Sequence, residues 1–449
     1  MKKYSLPGIF LSSCLAVSLV LGGAAPAQAY PVRQPLAPVA GYDMLPAAQQ
    51  TADYWIAHGR DMERVQADAA GIASINARLR QRCPALRDLA SYPATLSYDE
   101  LRQKIEQDVP DWGEYYSHGQ RVSYDSYIAV CSNRQMALPQ TTTVRFGVTV
   151  RRSDMRLLPV SVADGWFTSP GAQHFDQLQA TALDPGVPVA VLHESRDGAW
   201  LLVDSSDYTG WVPRQDVALA SRAEALQWGR PTGDGFLVVT TNRLRVATPN
   251  GEQLLYQLGS RLRLAKPTAS SGSYTVLLPY RNVDGSLQTT TAAVPADDSV
   301  HRGYLPWTRA NILRMAFTCL GDVYGWGGLE DSVDCSSFTQ DVYRTVGIEL
   351  PRDADQQNAA TNVRSLSGLS YADHVAAMNQ AQPGDLFFLG GSHVMICLGS
   401  EGGQPCIINA TSSYYAGGTK HYILRVVASG VSHYAYGAAS VTDIGQLTP

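Results

Sequence analysis

Cys335 lies between Asp334 and Ser336 in the run Asp-Cys-Ser-Ser-Phe, a few residues after a glycine-rich, aromatic turn from Gly321 to Gly328. Asp334 has the short acceptor side chain that starts helices. Cys335 is therefore expected at the first helical position, followed by an apolar stripe of Phe338, Val342, Tyr343 and Val346. There the positive end of the helix dipole favours thiolate over thiol. The plainer alternative is a small buried hydrophobe. Further on, a Pro-Gly turn before Asp385 opens a strand over 386–389, and Gly390-Gly391-Ser392 breaks it. His393 begins the next strand, and a Gly402-Gly403 turn leads into a strand through Asn409. A hairpin centred near residue 401 places His393 opposite Asn409, on one face at one rim. A cysteine at a helix start, a strand histidine and a polar partner supply the nucleophile, base and orienter of covalent catalysis. The same register sets Cys397 and Cys406 on opposite faces, so no disulfide joins them unless a bulge intervenes.

The elements that must hold these groups follow from the rest of the 449 residues, which are 45% hydrophobic and 17% charged with net charge −5. This profile is globular, and the length suggests about three domains. Without a basic run, the chain has no electrostatic footprint for nucleic acid. Residues 1–29 read as an export signal: Lys2 and Lys3, an apolar core from Ile9 to Leu21, and the cleavage site Ala27-Gln28-Ala29. Lipidation at Cys14 is disfavoured because most of the apolar run follows it. The expected location is periplasmic, or more broadly the cell envelope or exterior, with no transmembrane segment after cleavage.

Residues 30–145 are expected to form a mainly helical N-terminal region that packs on something else, with helices over 48–87 and 98–107. From 146 to 221 short apolar strands alternate with turns. The unit Gly186 to His193, a turn at Asp197-Gly198, Ala199 to Asp204 and the closing Gly210-Trp211-Val212 resembles bacterial SH3-like domains. Residues 222–296 read as a second, divergent SH3-like barrel, since Gly259 and its strand echo Gly186 but the closing Gly-Trp-Val is missing. The last domain is expected over 297–449. The cysteines are sparse and show no Cys-x-x-Cys, so no metal site is indicated, and Cys83 with Cys131 is the most plausible disulfide.

The ordered motifs Gly-Asp-Val-Tyr-Gly-Trp-Gly-Gly, Asp-Cys-Ser-Ser-Phe, Leu-Pro-Arg-Asp, Gln-Pro-Gly-Asp-Leu and Ser-His-Val resemble those of NlpC-type cell-wall cysteine peptidases over about 300–449. With SH3-like units before it, the chain resembles their multidomain dipeptidyl-endopeptidase branch. The resemblance implies a multidomain α+β chain whose catalytic domain has the papain-like fold and needs no cofactor. It implies hydrolysis of the gamma-D-glutamyl–L-diamino acid bond of peptidoglycan stem peptides or muropeptides bearing a free N-terminal L-alanine. Cys335 is then the nucleophile and His393 the general base. Asn409 fills a third position that is often histidine in the family. Tyr324 lines the oxyanion region with the backbone N–H of Cys335, and Asp334 and Ser336 match positions that hold the substrate's amino end. Tyr208, on the first barrel, walls the cleft.

Two other classes compete: an N-acetylmuramoyl-L-alanine amidase or other Cys-His acyltransferase, and a catalytically silent wall-binding protein. Fold alone does not separate the first from a peptidase. The intact trio Cys335, His393 and Asn409 argues against the second. Arg352 reads as a solvated loop arginine ahead of a ligand for a substrate carboxylate. The remaining histidines lack a cysteine or carboxylate at readable spacing and read as surface or packing residues.

Overall fold

The computed structural model describes residues 44–229, 235–361, 363–416, 419–431 and 440–447. The expected signal segment and Cys14 lie outside the described residues. Four short helices form the N-terminal region: α1 (Ala52–His58), α2 (Ala69–Arg82), α3 (Tyr98–Glu106) and α4 (Tyr124–Ser132). Each begins at a side chain that accepts a backbone N–H of the first turn: Thr51, Asp68, Ser97 and Ser123. Ser97 and Glu100 form the reciprocal capping box.

None of these helices carries enough apolar surface to make a core of its own, and the region is divided among three. Trp55, Ile75 and Leu79 join the core of the last domain. Leu101 and Ile105 pack on the first β unit with Phe146 and Trp211. Cys131 sits with Leu158, Trp166 and Leu178. Cys83 lies in the first of these cores and Cys131 in the third, and both are free thiols. The expected Cys83–Cys131 disulfide is not formed, because each cysteine is packed as a small apolar side chain in a different core.

Between Arg145 and Ala220 seven strands form one antiparallel sheet. Its order is Val217–Ala220, Arg145–Thr149, Pro188–Glu194, Trp200–Asp204, Thr209–Pro213, Ser153–Arg156, Gln179–Leu183. The near-continuous apolar runs of these strands are explained by burial on both faces. Val189, Val191, Leu201, Val203 and Val212 fill one core, while Ala190, Leu192, Leu202 and Trp211 fill the other. The second face is covered by α3 and by α5 (Arg222–Gly229), whose Ala225 and Trp228 are buried there. Thus α5, expected to open the second barrel, packs on the first.

The second β unit has its own core, built around Leu237, Tyr256, Leu262, Val276 and Val294. It comprises two hairpins, Arg243–Ala247 with Gln253–Gln257 and Ser273–Arg281 with Leu287–Pro295, and a three-stranded sheet. The last strand of that sheet, Val300–Arg302, pairs with Phe236–Val239. The unit therefore runs past the boundary expected at 296.

The last domain has the papain-like arrangement of helices on an antiparallel sheet. Helix α6 (Arg309–Thr318) and helix α7 (Cys335–Arg344) are followed by α8 (Ala354–Ala360) and α9 (Tyr371–Met378). The sheet order is Val363–Ser365, Ser440–Thr442, Leu386–Phe388, Val394–Glu401, Gln404–Ala416, Thr419–Gly430. Phe338 and Val342 of α7 pack against Ile396, Ile408 and Ala410, while Phe387, Met395, Cys397 and Ile407 fill the opposite face with Met378. Cys397 and Cys406 lie on opposite faces and are free, although a bulge does interrupt the ladder after Cys397.

The hairpin register differs from expectation. Glu401 pairs with Gln404 across Gly402 and Gly403, both at positive φ (57° and 80°), the conformation a two-residue hairpin turn demands. Ile396 then faces Ile408, so the ladder is shifted by two residues and His393 is not directly opposite Asn409. A shift of two preserves the face, because side chains alternate with period two.

Candidate active site

Helix α7 is started by Asp334, whose Oδ1 accepts the Ser337 N–H at 2.9 Å while Ser337 Oγ accepts the Asp334 N–H at 2.9 Å. Cys335 is the first helical residue and is buried, 7% exposed. Burial pushes its thiol up to about 12, and the neighbouring Asp334 carboxylate pushes the same way. The backbone N–H of Val394, the Arg352 cation and the N–H of Ser336 oppose this and lose. The helix dipole alone pointed to a thiolate. The desolvation of a buried anion outweighs it. The Val394 N–H also locates the thiol: it lies against the peptide bond that joins His393 to the sheet.

His393 is half-buried, just ahead of the strand Val394–Glu401, and its Nε2 is 2.8 Å from Asn409 Oδ1. The pair meets on the diagonal rather than directly across, a distance that long side chains span. An amide oxygen only accepts, so Nε2 carries the hydrogen and Nδ1 keeps the basic lone pair. Burial lowers the His393 pKa, with the Asn409 contact and the Asp334 charge acting against it. Both shifts favour the neutral form of the group concerned. Asn409 is fully buried, and its Nδ2 has no hydrogen-bond partner among the described residues.

Tyr324 is buried at 8% exposure, held by Tyr324 N–H to Leu424 O at 2.8 Å and by a bridge to Val333. Its hydroxyl accepts the backbone N–H of Cys335. Burial raises its pKa first, and the adjacent Cys335 thiol adds to this, so it remains a phenol. The hydroxyl is thus held at the start of α7, beside Cys335.

Arg352 is the largest departure from expectation. It is 2% exposed, not solvated. Its guanidinium grips both oxygens of Asp334 (3.1 and 2.6 Å), reaches Ser336 Oγ at 3.0 Å, and donates from Nε to Thr181 Oγ1 at 2.7 Å. Asp334 Oδ2 also accepts the Gly327 N–H at 3.0 Å, so Asp334 is fully engaged inside the protein. Gln357 supports the same corner, donating to Ser336 O at 3.0 Å and Pro351 O at 2.8 Å. Arg352, Thr181 and Gln357 were not anticipated as parts of the site. The Leu-Pro-Arg-Asp motif was the available signal for the first of them.

The first β unit reaches the site directly. Gln179 Nε2 donates to Gly327 O at 2.9 Å, and Trp326 Nε1 donates to Asp176 O at 3.2 Å. A Cβ on Gly327 would stand 2.6 Å from Gln179, and one on Gly328 2.8 Å from Ala182. Both glycines are at positive φ (59° and 85°), so the Trp-Gly-Gly turn is what permits this close approach. Tyr208 is half-buried on a loop pinned by its own N–H to Ser205 Oγ (3.0 Å) and by Gln340 Nε2 to Asp207 Oδ2 (2.8 Å). Burial raises its pKa, with the Asp353 carboxylate second and the Arg352 cation opposing, which sets the ring beside the Arg352–Asp353 segment.

Two outcomes test this electrostatic reading. Alkylation of Cys335 by iodoacetamide in the substrate-free protein should climb steadily from pH 6 to pH 9, since a raised thiol pKa leaves little thiolate at neutrality. A plateau below pH 7 would mean a preformed thiolate–imidazolium pair instead. Asn409→Asp should raise the His393 pKa by placing a carboxylate on Nε2. The acid limb of kcat/KM should then move to higher pH, because the base must be unprotonated, whereas Asn409→Ala should lower kcat roughly tenfold or more by releasing the ring.

Fold and site together define a papain-like domain with a helix-start cysteine and a strand histidine, preceded by an SH3-type β unit. Comparison with known proteins agrees: residues 321–421 match the NlpC/P60 family and residues 166–213 match an SH3 domain of the SH3b1 type. The chain thus carries an SH3 domain followed by an NlpC/P60 domain. Over 86 residues it is 41% identical to the probable endopeptidase p60 of Listeria innocua and 40% identical to that of Listeria monocytogenes. These matches span 18% of this chain and only 16% and 15% of those proteins. An NlpC/P60 endopeptidase from Photobacterium damselae subsp. piscicida superimposes with a TM-score of 0.68 at 18% identity, over 88% of this chain and 97% of that one. That likeness is one of fold.

Proposed function

We propose that this protein is an exported cysteine endopeptidase that cleaves the gamma-D-glutamyl–L-diamino acid bond of peptidoglycan peptides. The observation that carries the reading is the Cys335 thiol lying against the His393–Val394 peptide, with His393 oriented by Asn409, inside an NlpC/P60 domain. Substrate entry brings the thiol proton onto His393 Nδ1 as the sulfur attacks the glutamyl carbonyl. The oxyanion takes the Tyr324 hydroxyl and the Cys335 N–H, which otherwise bond to each other. His393 then protonates the leaving amine, and water releases the acid from the thioester.

The barrel wall supports recognition of a short, free-ended peptide. Ser336 and Tyr208 are polar groups on the side of the cleft assigned to the amino end. Asp334 acts there through the Arg352 pair, which spends its charge. The test is incubation with L-alanyl-gamma-D-glutamyl-diamino acid peptide and with the same peptide acetylated at alanine. The free peptide should yield the dipeptide, and the acetylated one should be cut far more slowly. Separation of sugar from intact stem peptide in muropeptide digests would replace the peptidase reading with an amidase.

A further inference from the structure

Where the first β unit meets the catalytic domain, one residue holds a backbone conformation that its side chain does not suit. Phe175, just ahead of the strand Gln179–Leu183, has φ 64°. An aromatic residue is rare in this left-handed region, where its Cβ crowds the following carbonyl. Glycine would make the same turn with less strain. The neighbours nevertheless over-determine the conformation. Asp176 accepts the N–H groups of Trp166 and Leu178 on Oδ1 at 2.8 and 3.0 Å. Its Oδ2 pairs with the buried Arg156 at 2.5 Å. Phe175 O accepts from Gln177 Nε2 at 2.7 Å. Strain so firmly held points to a use for the ring.

The ring leaves its own unit and packs on the core of the catalytic domain. Its centroid lies 6.1 Å from that of Tyr324, inclined at 56°, and 5.5 Å from that of Trp326, nearly edge-on at 72°. Both distances are those of favourable aromatic pairs. Trp326 Nε1 donates to Asp176 O at 3.2 Å, so the residue that fixes the strained backbone also fixes the Tyr-Gly-Trp turn. Tyr324 is held at its backbone, through Leu424 O and the bridge to Val333. Those contacts leave its side-chain torsions to be set by packing. The hydroxyl, at the far end of the ring, moves most when the ring tilts.

We propose that Phe175 is a positioning residue for catalysis: the first β unit uses this strained residue to hold the Tyr324 ring where its hydroxyl meets the oxyanion. A donor of this kind acts by standing in place before the charge develops, so its benefit falls as the ring gains freedom. The hold stands on the ring contacts alone, while its catalytic consequence rests on the peptidase reading above.

The test uses the full chain. Phe175→Gly and Phe175→Asn both suit a positive φ and remove the ring, whereas Phe175→Tyr keeps it. On the short free-ended peptide, kcat should fall roughly tenfold in the first two with KM within about twofold, and Phe175→Tyr should keep most of the parent kcat. In a Tyr324→Phe background the Phe175→Gly loss should shrink below about twofold, because the hydroxyl being positioned is gone. An equal loss in both backgrounds, a change confined to KM, or an unchanged kcat would overturn the proposal. Fluorine NMR of the chain labelled with 3-fluorotyrosine reads the hold without substrate. The Tyr324 signal, identified by its absence from Tyr324→Phe, should shift and narrow in Phe175→Gly, and an unmoved signal would overturn the hold. A parent that leaves the peptide uncut would end the peptidase reading and the catalytic role with it, while the fluorine signal would still decide the hold.

Discussion

Cys335→Ala should remove dipeptide release from L-alanyl-gamma-D-glutamyl-diamino acid peptide almost entirely, by roughly 10⁴-fold or more in kcat. In the proposed mechanism the Cys335 sulfur forms the acyl bond and gives its proton to His393, so without it neither step can occur. The substitution removes one buried heavy atom at the end of α7, where Asp334 still caps the helix through Ser337, so the fold should survive with an unchanged near-ultraviolet spectrum. Mass spectrometry of the products checks the result. Activity of the alanine variant within tenfold of the parent would move the nucleophile elsewhere and end the cysteine mechanism.

The largest expected loss of stability follows from Arg352→Met. The substitution leaves the Asp334 carboxylate, 5% exposed, without its cation in a buried site, at a cost of about 3–5 kcal/mol. Burial alone would raise the Asp334 pKa. The Arg352 charge and hydrogen bonds hold it below the usual carboxylate range instead. Stability from this pair is therefore present above the ordinary aspartate pKa and is lost as pH falls through the lowered folded value. The difference between parent and Arg352→Met should be full at pH 7 and shrink in acid below about pH 4. Urea unfolding followed by fluorescence at pH 7 and at acid pH measures it. Combining Arg352→Met with Asp334→Asn should recover part of the loss, because no buried charge is left unpaired. An Arg352→Met protein as stable as the parent would mean that Asp334 is solvated. The same variant should loosen the first β unit from the catalytic domain, since Arg352 Nε holds Thr181.

Local physics explains what the sequence made legible. Asp334 as N-cap and Cys335 as the first helical residue depend on partners within four residues, and both are found. The strands around Trp200 and Trp211 announce themselves as short apolar runs between turns. The pairing of His393 with Asn409 survived a register error because the error was even; an odd slip would have parted them. Arg352 departs from its expected exposure for the opposite reason. Its surroundings in sequence, Leu-Pro-Arg-Asp-Ala-Asp, look like a polar loop, and what buries it comes from a strand 171 residues away.

By itself, the sequence determined where the Cys335 helix begins and that short apolar strands alternate with turns before it, because caps and turns act over a few residues. Only the tertiary structure decided that the N-terminal helices are divided among three cores, that α5 belongs to the first β unit, and that the Asp334–Cys335 helix end is closed by an arginine tied to the barrel. Those outcomes depend on desolvation, and what a group loses to burial is set by neighbours that chain order does not reveal.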